Sequence, residues 1–256
     1  MELTSAVATA TIEEQGGRLA SLVVDGLELL LTEGPKPTRW GSFPMIPWCG
    51  RLPHGHLDFA GRAYAFPPTS PPHANHGRTH LQMWEPIGDA SLRTELGDPW
   101  PFGGHAIQRF ELTDTSFTVT AEVHAGDQPM PAMAGWHPWF RRQLDRGDTA
   151  RVEFEAASIY AVDHDQIPTG DLVPVPPPPW DGCFVGLARD PIIEWPGALR
   201  LTISSDFDHW VIFTEPEHAL CVEPQSGPPN EFHIEPQVLQ PGEALIGSMT
   251  LAWTTR

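Results

Sequence analysis

Apolar and polar residues alternate along much of this chain, which is the pattern of β-strands with one buried face. The clearest strand is Phe117 to His124, in which every second residue from Phe117 to Val123 is apolar. His105 to Leu112 also has strand character, and Asp114-Thr115 lies between the two segments. The pattern therefore predicts an antiparallel hairpin in this region.

The same reasoning predicts strands along the rest of the sequence. Asp25-Gly26 is a strong two-residue hairpin signal, and Gly61 marks a second tight turn. No segment combines a sustained helical period with good capping residues. The further predicted strands are Ser5–Ile12, Leu19–Val24, Leu27–Leu31, Leu57–Phe59, Ala63–Phe66, Val152–Ala156, Leu199–Ser204, Trp210–Thr214, Ala219–Val222 and Leu245–Trp253.

Prolines and glycines divide these strands. The 29 prolines and 23 glycines are typical of an all-β protein with long loops. Two proline-rich segments, Pro67–Pro72 and Pro174–Pro179, have strands closely before and after them, so we interpret them as stiff loops and not as linkers. Without a repeat or a boundary signal, residues 1–256 are predicted to form a single all-β domain.

The charge balance argues against several classes of partner. The 256 residues carry a formal net charge of -18, from 33 acidic and 15 basic side chains, and Lys36 is the one lysine. Such a surface repels nucleic acid and anionic membranes, so neither is an expected partner.

The cysteines and the start of the chain favour a cytoplasmic protein. The three cysteines, Cys49, Cys183 and Cys221, are far apart along the chain, and this odd number does not suggest a disulfide framework. The first residues lack a signal-peptide pattern, and no apolar run reaches the ~20 residues needed to span a membrane. Both a monomer and a homodimer are compatible with the sequence.

One titratable side chain lies among aromatic rings in the segment Gly135-Trp136-His137-Pro138-Trp139-Phe140. Histidine titrates close to neutral pH, and a rigid, ring-lined setting suits a proton donor to a sugar. The alternative is a histidine packed in an aromatic corner of the core, and the segment alone does not separate the two.

Three other segments concentrate polar residues of catalytic type. Glu223 ends a predicted strand before a proline-rich loop, where it is either a partly desolvated general base or a solvated strand-end glutamate. His76 follows a proline-rich loop, and it could bind a hydroxyl group or hold a turn. Arg51 and Arg78 could each donate hydrogen bonds to sugar oxygens or tie loops together.

Together, the segments resemble the aldose 1-epimerase (galactose mutarotase) family. In order they read Gly-Arg-Leu-Pro-x-Gly, His-Gly after a proline-rich loop, His-Pro-aromatic-Phe, and Glu-Pro-x-Ser-x-x-Pro-Asn. The match extends from Gly16-Gly17-Arg18 to Leu251-Ala252-Trp253. The resemblance implies an antiparallel β-supersandwich that interconverts the α and β anomers of an aldose by acid–base ring opening, without a metal or an organic cofactor.

Roles for individual residues follow from the resemblance. It implies that His137 is the catalytic acid, that Glu223 is the catalytic base, and that Arg51 and His76 bind sugar oxygens. Arg78 and Trp136 are further candidates for substrate binding. The rings of Trp84, Trp136, Trp139 and Phe140 either stack on a sugar or pack in the core.

A substrate-binding aspartate of the family precedes a short strand that contains an aromatic residue. Its best match is Asp181, with Asp206 and Asp208 as alternatives that lie closer to Glu223 along the chain.

Some positions depart from the galactose-specific pattern. Trp48-Cys49-Gly50 precedes Arg51, where galactose-type members often have an asparagine beside the arginine. Arg78 follows His76-Gly77, where those members commonly have a second glycine. Short family members that act on hexose 6-phosphates use extra basic residues, a role open to Arg51 and Arg78. The acidic balance of the chain makes a phosphorylated substrate less attractive.

Two other classes of function fit parts of the sequence. A non-catalytic carbohydrate-binding or sugar-sensing module would have the same fold. A metal enzyme would use some of the 12 histidines, but His54/His56 and His76/His80 lie in predicted loops and form no helical metal-binding pair.

Overall fold

The computed structural model describes residues 1–255, which are almost entirely β-strands and loops. All pairings between the named strands are antiparallel. The all-β, antiparallel fold predicted from the sequence is therefore confirmed. Short helical elements occur at Pro53–Gly55, Thr79–Leu81 and Glu231–Ile234. None of the helices in residues 1–255 is long and apolar enough to cross a membrane.

Three sheets contain most of the strands. In spatial order, the first sheet is Glu2–Thr4, Ala8–Glu13, Arg18–Val24, Ser42–Pro44 and Trp136–Pro138, with Leu27–Glu28 paired to Arg18–Val24. The second is Glu85–Gly88, Ser91–Glu95, His105–Leu112, Ser116–His124, Ala244–Thr255, Leu199–Ser205, Ile192–Trp195 and Arg151–Glu153. The third is Phe140–Arg141, Ala219–Gln225, His209–Phe213, Asp181–Leu187, Ala156–Val162 and Pro168–Val173.

Three two-stranded pairs complete the strands. They are Met130–Pro131 with Val238–Leu239, Arg51–Leu52 with Ala74–Asn75, and His56–Phe59 with Arg62–Ala65.

Apolar side chains of all three large sheets meet in one continuous buried cluster. Leu22 of the first sheet, Leu251 of the second and Leu220 of the third each have no exposed surface and belong to this cluster. Burying the apolar faces of several sheets together is the main stabilising term in such a fold. The single domain over residues 1–256 stays a prediction.

Most predicted strands agree with the structure to within a few residues, and the hairpin signals at Asp25-Gly26 and Gly61 mark real turns. The prediction of one strand over 152–156 is wrong, because Arg151–Glu153 and Ala156–Val162 belong to different sheets. Hydrophobic alternation also missed Pro168–Val173 and Asp181–Leu187, which contain the proline, glycine and aspartate residues usually found in turns. A strand beside Asp181 was expected from the family resemblance alone.

Gly77 brings the loop that carries His76 against the segment after the first sheet's Ser42–Pro44. It forms a parallel bridge with Ile46, at a φ of +62°. A Cβ atom there would lie 1.9 Å from the Ile46 carbonyl oxygen, which no side chain permits. Glycine is therefore required for both the dihedral angle and the close approach.

We predict that Gly77→Ala destabilises the protein much more than Gly61→Ala. Both glycines have positive φ, but a Cβ at Gly61 would meet no atom within 4 Å. Gly61→Ala should lower the free energy of unfolding by about 1 kcal/mol through strain alone. Gly77→Ala should lower it by at least about 3 kcal/mol, because the clash adds to the strain. Equal losses in chemical denaturation would contradict the tight contact at Ile46.

Candidate active site

His137 lies where two sheets meet. Its strand Trp136–Pro138 pairs with Ser42–Pro44 in the first sheet, and the preceding Gly135 bridges to Gln225 in the third. Adjacent residues of a strand point to opposite faces. His137 consequently lines a cavity, whereas the indole of the preceding residue is buried in the core.

Aromatic rings enclose the imidazole of His137. Phe43 stacks against it at a centroid distance of 4.9 Å, and Trp139 does so at 5.1 Å. Burial lowers the pKa of His137 to about 3, and the positive charge of Arg39 acts in the same direction. The Nδ1 atom has no hydrogen-bond partner among the described residues. The ring is therefore neutral at neutral pH.

Glu223 projects from the cavity face of the third sheet. The strand register places it opposite Val211, which in turn is opposite Cys183, and all three line the cavity. Glu223 is 2% exposed. Burial raises its pKa well above the usual glutamate value, the charge of Asp181 adds to the rise, and a hydrogen bond from Gln225 opposes it.

The two buried groups face each other. The Nε2 atom of His137 lies 3.4 Å from Oε1 of Glu223. Their pKa values are shifted in opposite directions, so burial favours the neutral form of the pair over the ion pair, and the two forms differ by the position of one proton. Such a pair can give a proton to one oxygen and take a proton from another.

Cys221 lies beside this pair on the same strand as Glu223. Its sulfur atom and the donor atoms of His137 and Glu223 all lie within 4.8 Å of one another. Burial raises the pKa of the Cys221 thiol well above its usual value, so the sulfur is protonated and uncharged in this setting.

His76 reaches the cavity from the loop that Gly77 positions. Gly50 fixes it from both sides, because the backbone N–H of Gly50 donates to Nδ1 at 3.2 Å and the His76 N–H donates to the Gly50 carbonyl at 2.9 Å. Burial and the neighbouring cation-forming groups lower its pKa well below 6.5. The proton of the neutral ring is then on Nε2, the atom left free to donate.

The cavity has a volume of about 210 Å³ and a polar lining. Two of its side chains have a buried acceptor oxygen without a partner among the described residues, Oδ1 of Asn75 and Oε1 of Gln225. Buried polar atoms are normally hydrogen-bonded. These two oxygens and the Nδ1 atom of His137 are buried exceptions to that rule.

Asp181 and Arg51 stand on the cavity wall. Asp181 is an exposed residue, but partial loss of hydration at its carboxyl group raises its pKa, and the charge of Arg51 opposes that rise. Arg51 donates to the Gln166 carbonyl at 3.1 Å. Of the three candidate aspartates, only Asp181 lines the cavity. Asp206 instead accepts from Ser248, and Asp208 contacts its neighbour His209.

Other candidates from the sequence lie elsewhere. Trp136 is 1% exposed, its Nε1–H donates to Gln108, and it lines no part of the cavity, so its position corrects the expectation that it contacts substrate. Arg78, Trp84 and Phe140 also lie outside the lining. Trp139 is the one predicted aromatic candidate that reaches it.

Sequence patterns missed a basic loop at the cavity mouth. Lys36 and Arg39 line the cavity from the segment before the first sheet's Ser42–Pro44. Buried Arg18 donates to the carbonyl groups of Pro37 and Trp40 at 2.6 and 2.5 Å. No motif in the sequence marked Lys36 or Arg39.

Similarity to a known sequence family extends over nearly the whole chain. The aldose 1-epimerase family profile matches residues 1–252. The chain belongs to the aldose 1-epimerase family.

Individual proteins that are similar to this chain support the fold. YphB, an uncharacterised protein of Escherichia coli K12, is 24% identical over 278 residues, with 94% of this chain and 93% of YphB covered. A GalM/aldose epimerase homologue from C. elegans superposes with a TM-score of 0.84 at 18% identity, covering 100% of this chain and 98% of the other. A galactose mutarotase-like protein from Clostridium acetobutylicum gives 0.83 at 17% identity, covering 100% and 95%. The fold is thus that of the galactose mutarotase-like aldose epimerases.

The buried carboxyl group of this family member should make stability depend on pH. Because the folded protein raises the pKa of Glu223, it binds more protons than the unfolded chain above pH 4.5, and stability falls as pH rises through the raised pKa. We predict that Glu223→Gln is more stable than the parent protein at pH 9, with a smaller difference at pH 5.

Thermal unfolding at both pH values measures this effect. Glu14→Gln is the matched control, since Glu14 is exposed and removing its charge should change the melting temperature equally at both pH values. A stabilisation by Glu223→Gln that is independent of pH would contradict the raised pKa.

Proposed function

We propose that this protein is a cofactor-independent aldose mutarotase, with Glu223 and His137 as its base and acid. The observation that supports the proposal most strongly is the buried pair of these two side chains, 3.4 Å apart, in a cavity with unpartnered polar atoms. Membership of the aldose 1-epimerase family points to the same chemistry.

The reaction needs two proton transfers at neighbouring oxygens. The base removes the proton of the C1 hydroxyl, the C1–O bond becomes a carbonyl, and the bond from C1 to the ring oxygen breaks as the acid protonates that oxygen. Both oxygens are bonded to C1, so the two groups must lie close together, as His137 and Glu223 do. Rotation about C1–C2 and the reverse transfers close the ring as the other anomer.

The pair carries the proton that this cycle requires. Its reactive form is the Glu223 carboxylate with the His137 imidazolium, which differs from the neutral pair by one proton moved across 3.4 Å. The low-polarity surroundings favour the neutral form, so a hydroxyl group of the substrate would favour the charged form by donating to the carboxylate.

The surrounding groups would bind the sugar. Neutral His76 donates from Nε2, Arg51 donates from its guanidinium group, and Asp181 accepts from hydroxyl groups at the cavity wall. Trp139 supplies an apolar ring surface.

Removing either member of the pair should abolish most of the catalysis. We predict that Glu223→Gln and His137→Asn each lower kcat for anomer exchange by about 100- to 10,000-fold, the usual contribution of a positioned acid or base. NMR exchange between the anomers of a panel of aldoses measures the rate. His56→Asn is the control, because His56 is exposed and outside the cavity, and it should keep full activity.

Full activity in both variants would show that other residues perform the chemistry. Binding of sugars by the parent protein without faster anomer exchange would favour the other candidate, a sugar-binding or sugar-sensing module.

The pH dependence tests the shared proton. The pair holds one proton from the lowered pKa of His137, about 3, up to the raised pKa of Glu223. We predict that kcat/KM shows no fall between pH 7 and pH 5 and declines on the alkaline side as the pair loses its proton. An acid limb near pH 6.5, the ordinary value for histidine, would contradict this assignment.

A further inference from the structure

The charge of the cavity differs from that of the whole protein. The chain carries more than twice as many acidic as basic side chains, 33 against 15. The cavity is lined by three cationic side chains, Lys36, Arg39 and Arg51, and by two carboxyl groups, Asp181 and Glu223. Since burial favours the uncharged form of Glu223, the cavity has a positive excess inside a strongly negative protein.

These cations have no carboxylate partner. Among the ion pairs of residues 1–255, none joins Lys36, Arg39 or Arg51 to an acidic group within 4.0 Å. Arg51 has the Gln166 carbonyl and the nearby charge of Asp181 to stabilise it. Lys36 and Arg39 are exposed on one loop of the cavity lining, and the charge of Arg39, like that of Arg51, lowers the pKa of Asp181.

The loop that carries Lys36 and Arg39 is fixed. The Nε1–H of Trp139 donates to the Thr38 carbonyl at 3.0 Å, and the backbone N–H of Arg39 donates to the Lys36 carbonyl at 3.0 Å. Buried Arg18 holds the loop from below and stacks at 4.2 Å over the Trp40 ring. The two surface cations are therefore presented at a defined place, which lowers the entropy cost of binding an anion between them.

Their place relative to the acid–base pair sets the position of such an anion. The guanidinium carbon of Arg39 lies 5.3 Å from the centroid of the Trp139 ring, and this ring stacks on His137. His137 and Glu223 are buried at the cavity floor, whereas the two cations are exposed at its mouth. A sugar with C1 at the floor would direct the opposite end of its ring toward the cations.

We propose that the substrate is an aldose with an anionic group remote from C1, bound by Lys36 and Arg39. This inference rests on the proposed function and specifies its substrate class. Phosphate and carboxylate groups share the required chemistry, because each presents several anionic oxygens to a guanidinium fork and an ammonium group. The overall acidic balance made such a substrate unattractive from the sequence, and the local arrangement of charge reverses that expectation.

The test compares three sugars that differ in this one group. Anomer exchange is measured by NMR for glucose, glucose 6-phosphate and glucuronate with the parent protein, Lys36→Gln, Arg39→Gln and the charge-preserving Arg39→Lys. We expect at least one anionic sugar to exceed glucose in kcat/KM by about tenfold or more, and the arm that responds identifies phosphate or carboxylate as the group recognised.

The variants separate recognition from general damage. Lys36→Gln and Arg39→Gln should each lower kcat/KM for the anionic sugar about tenfold more than kcat/KM for glucose. Arg39→Lys should keep part of the preference for the anionic sugar that Arg39→Gln loses. Arg189→Gln removes an exposed charge outside the cavity and should change neither. Equal kcat/KM for glucose and both anionic sugars, or equal losses on all three in the loop variants, would overturn the inference.

A direct measurement of sugar binding tests this inference separately from the proposed function. If no aldose exchanged faster, the proposed mutarotase activity would fail, and titration of the same sugars followed by NMR would still report recognition. Tighter binding of an anionic sugar that is lost in Arg39→Gln would then support the anion site. Equal binding of all three sugars would overturn it.

Discussion

The arrangement of this site depends on burying one imidazole and one carboxyl group against each other at the junction of two sheets. The first sheet supplies His137, the third supplies Glu223, and the bridge between Gly135 and Gln225 joins the two. Taking both groups out of water is unfavourable for their charged forms, so the pKa of the carboxyl group rises and that of the imidazole falls. Burial therefore keeps one proton within the pair, and it lowers the free energy of unfolding.

The second requirement is that the cavity stays open and polar around this pair. Glycine at position 77 lets the His76 loop approach the backbone at Ile46, and the buried Arg18 holds the Lys36–Arg39 loop at the mouth. Burial lowers the pKa of Arg18 to about 10, which still leaves it charged at neutral pH. The close backbone contact at Gly77 and the buried charge of Arg18 both depart from ordinary core packing. Both position side chains that face the cavity.

Strand alternation predicted the all-β fold, and the motifs named His137, Glu223, His76 and Arg51. The family resemblance added the antiparallel supersandwich and Asp181, and all five residues line one cavity. The motif around Trp136 does not show whether its side chain faces the cavity or the core. Adjacent strand residues point to opposite faces, and the sequence does not tell which face lines the cavity. Lys36 and Arg39 belong to an irregular loop without periodicity, so only the three-dimensional path of the chain brings them to the mouth. The missed strands fail for a related reason, because tertiary pairing overrides the turn preference of their glycines and prolines.

The chemistry proposed for this site requires that the buried pair shares one proton across neutral pH. The most direct measurement is a pH titration by NMR of the Glu223 side-chain carboxyl carbon and the His137 ring nitrogens, assigned with single-site variants. We expect a His137 ring that shows no independent transition near pH 6.5, and a Glu223 carboxyl that titrates well above pH 4.5. Independent transitions of the two groups at their ordinary values would contradict the shared proton.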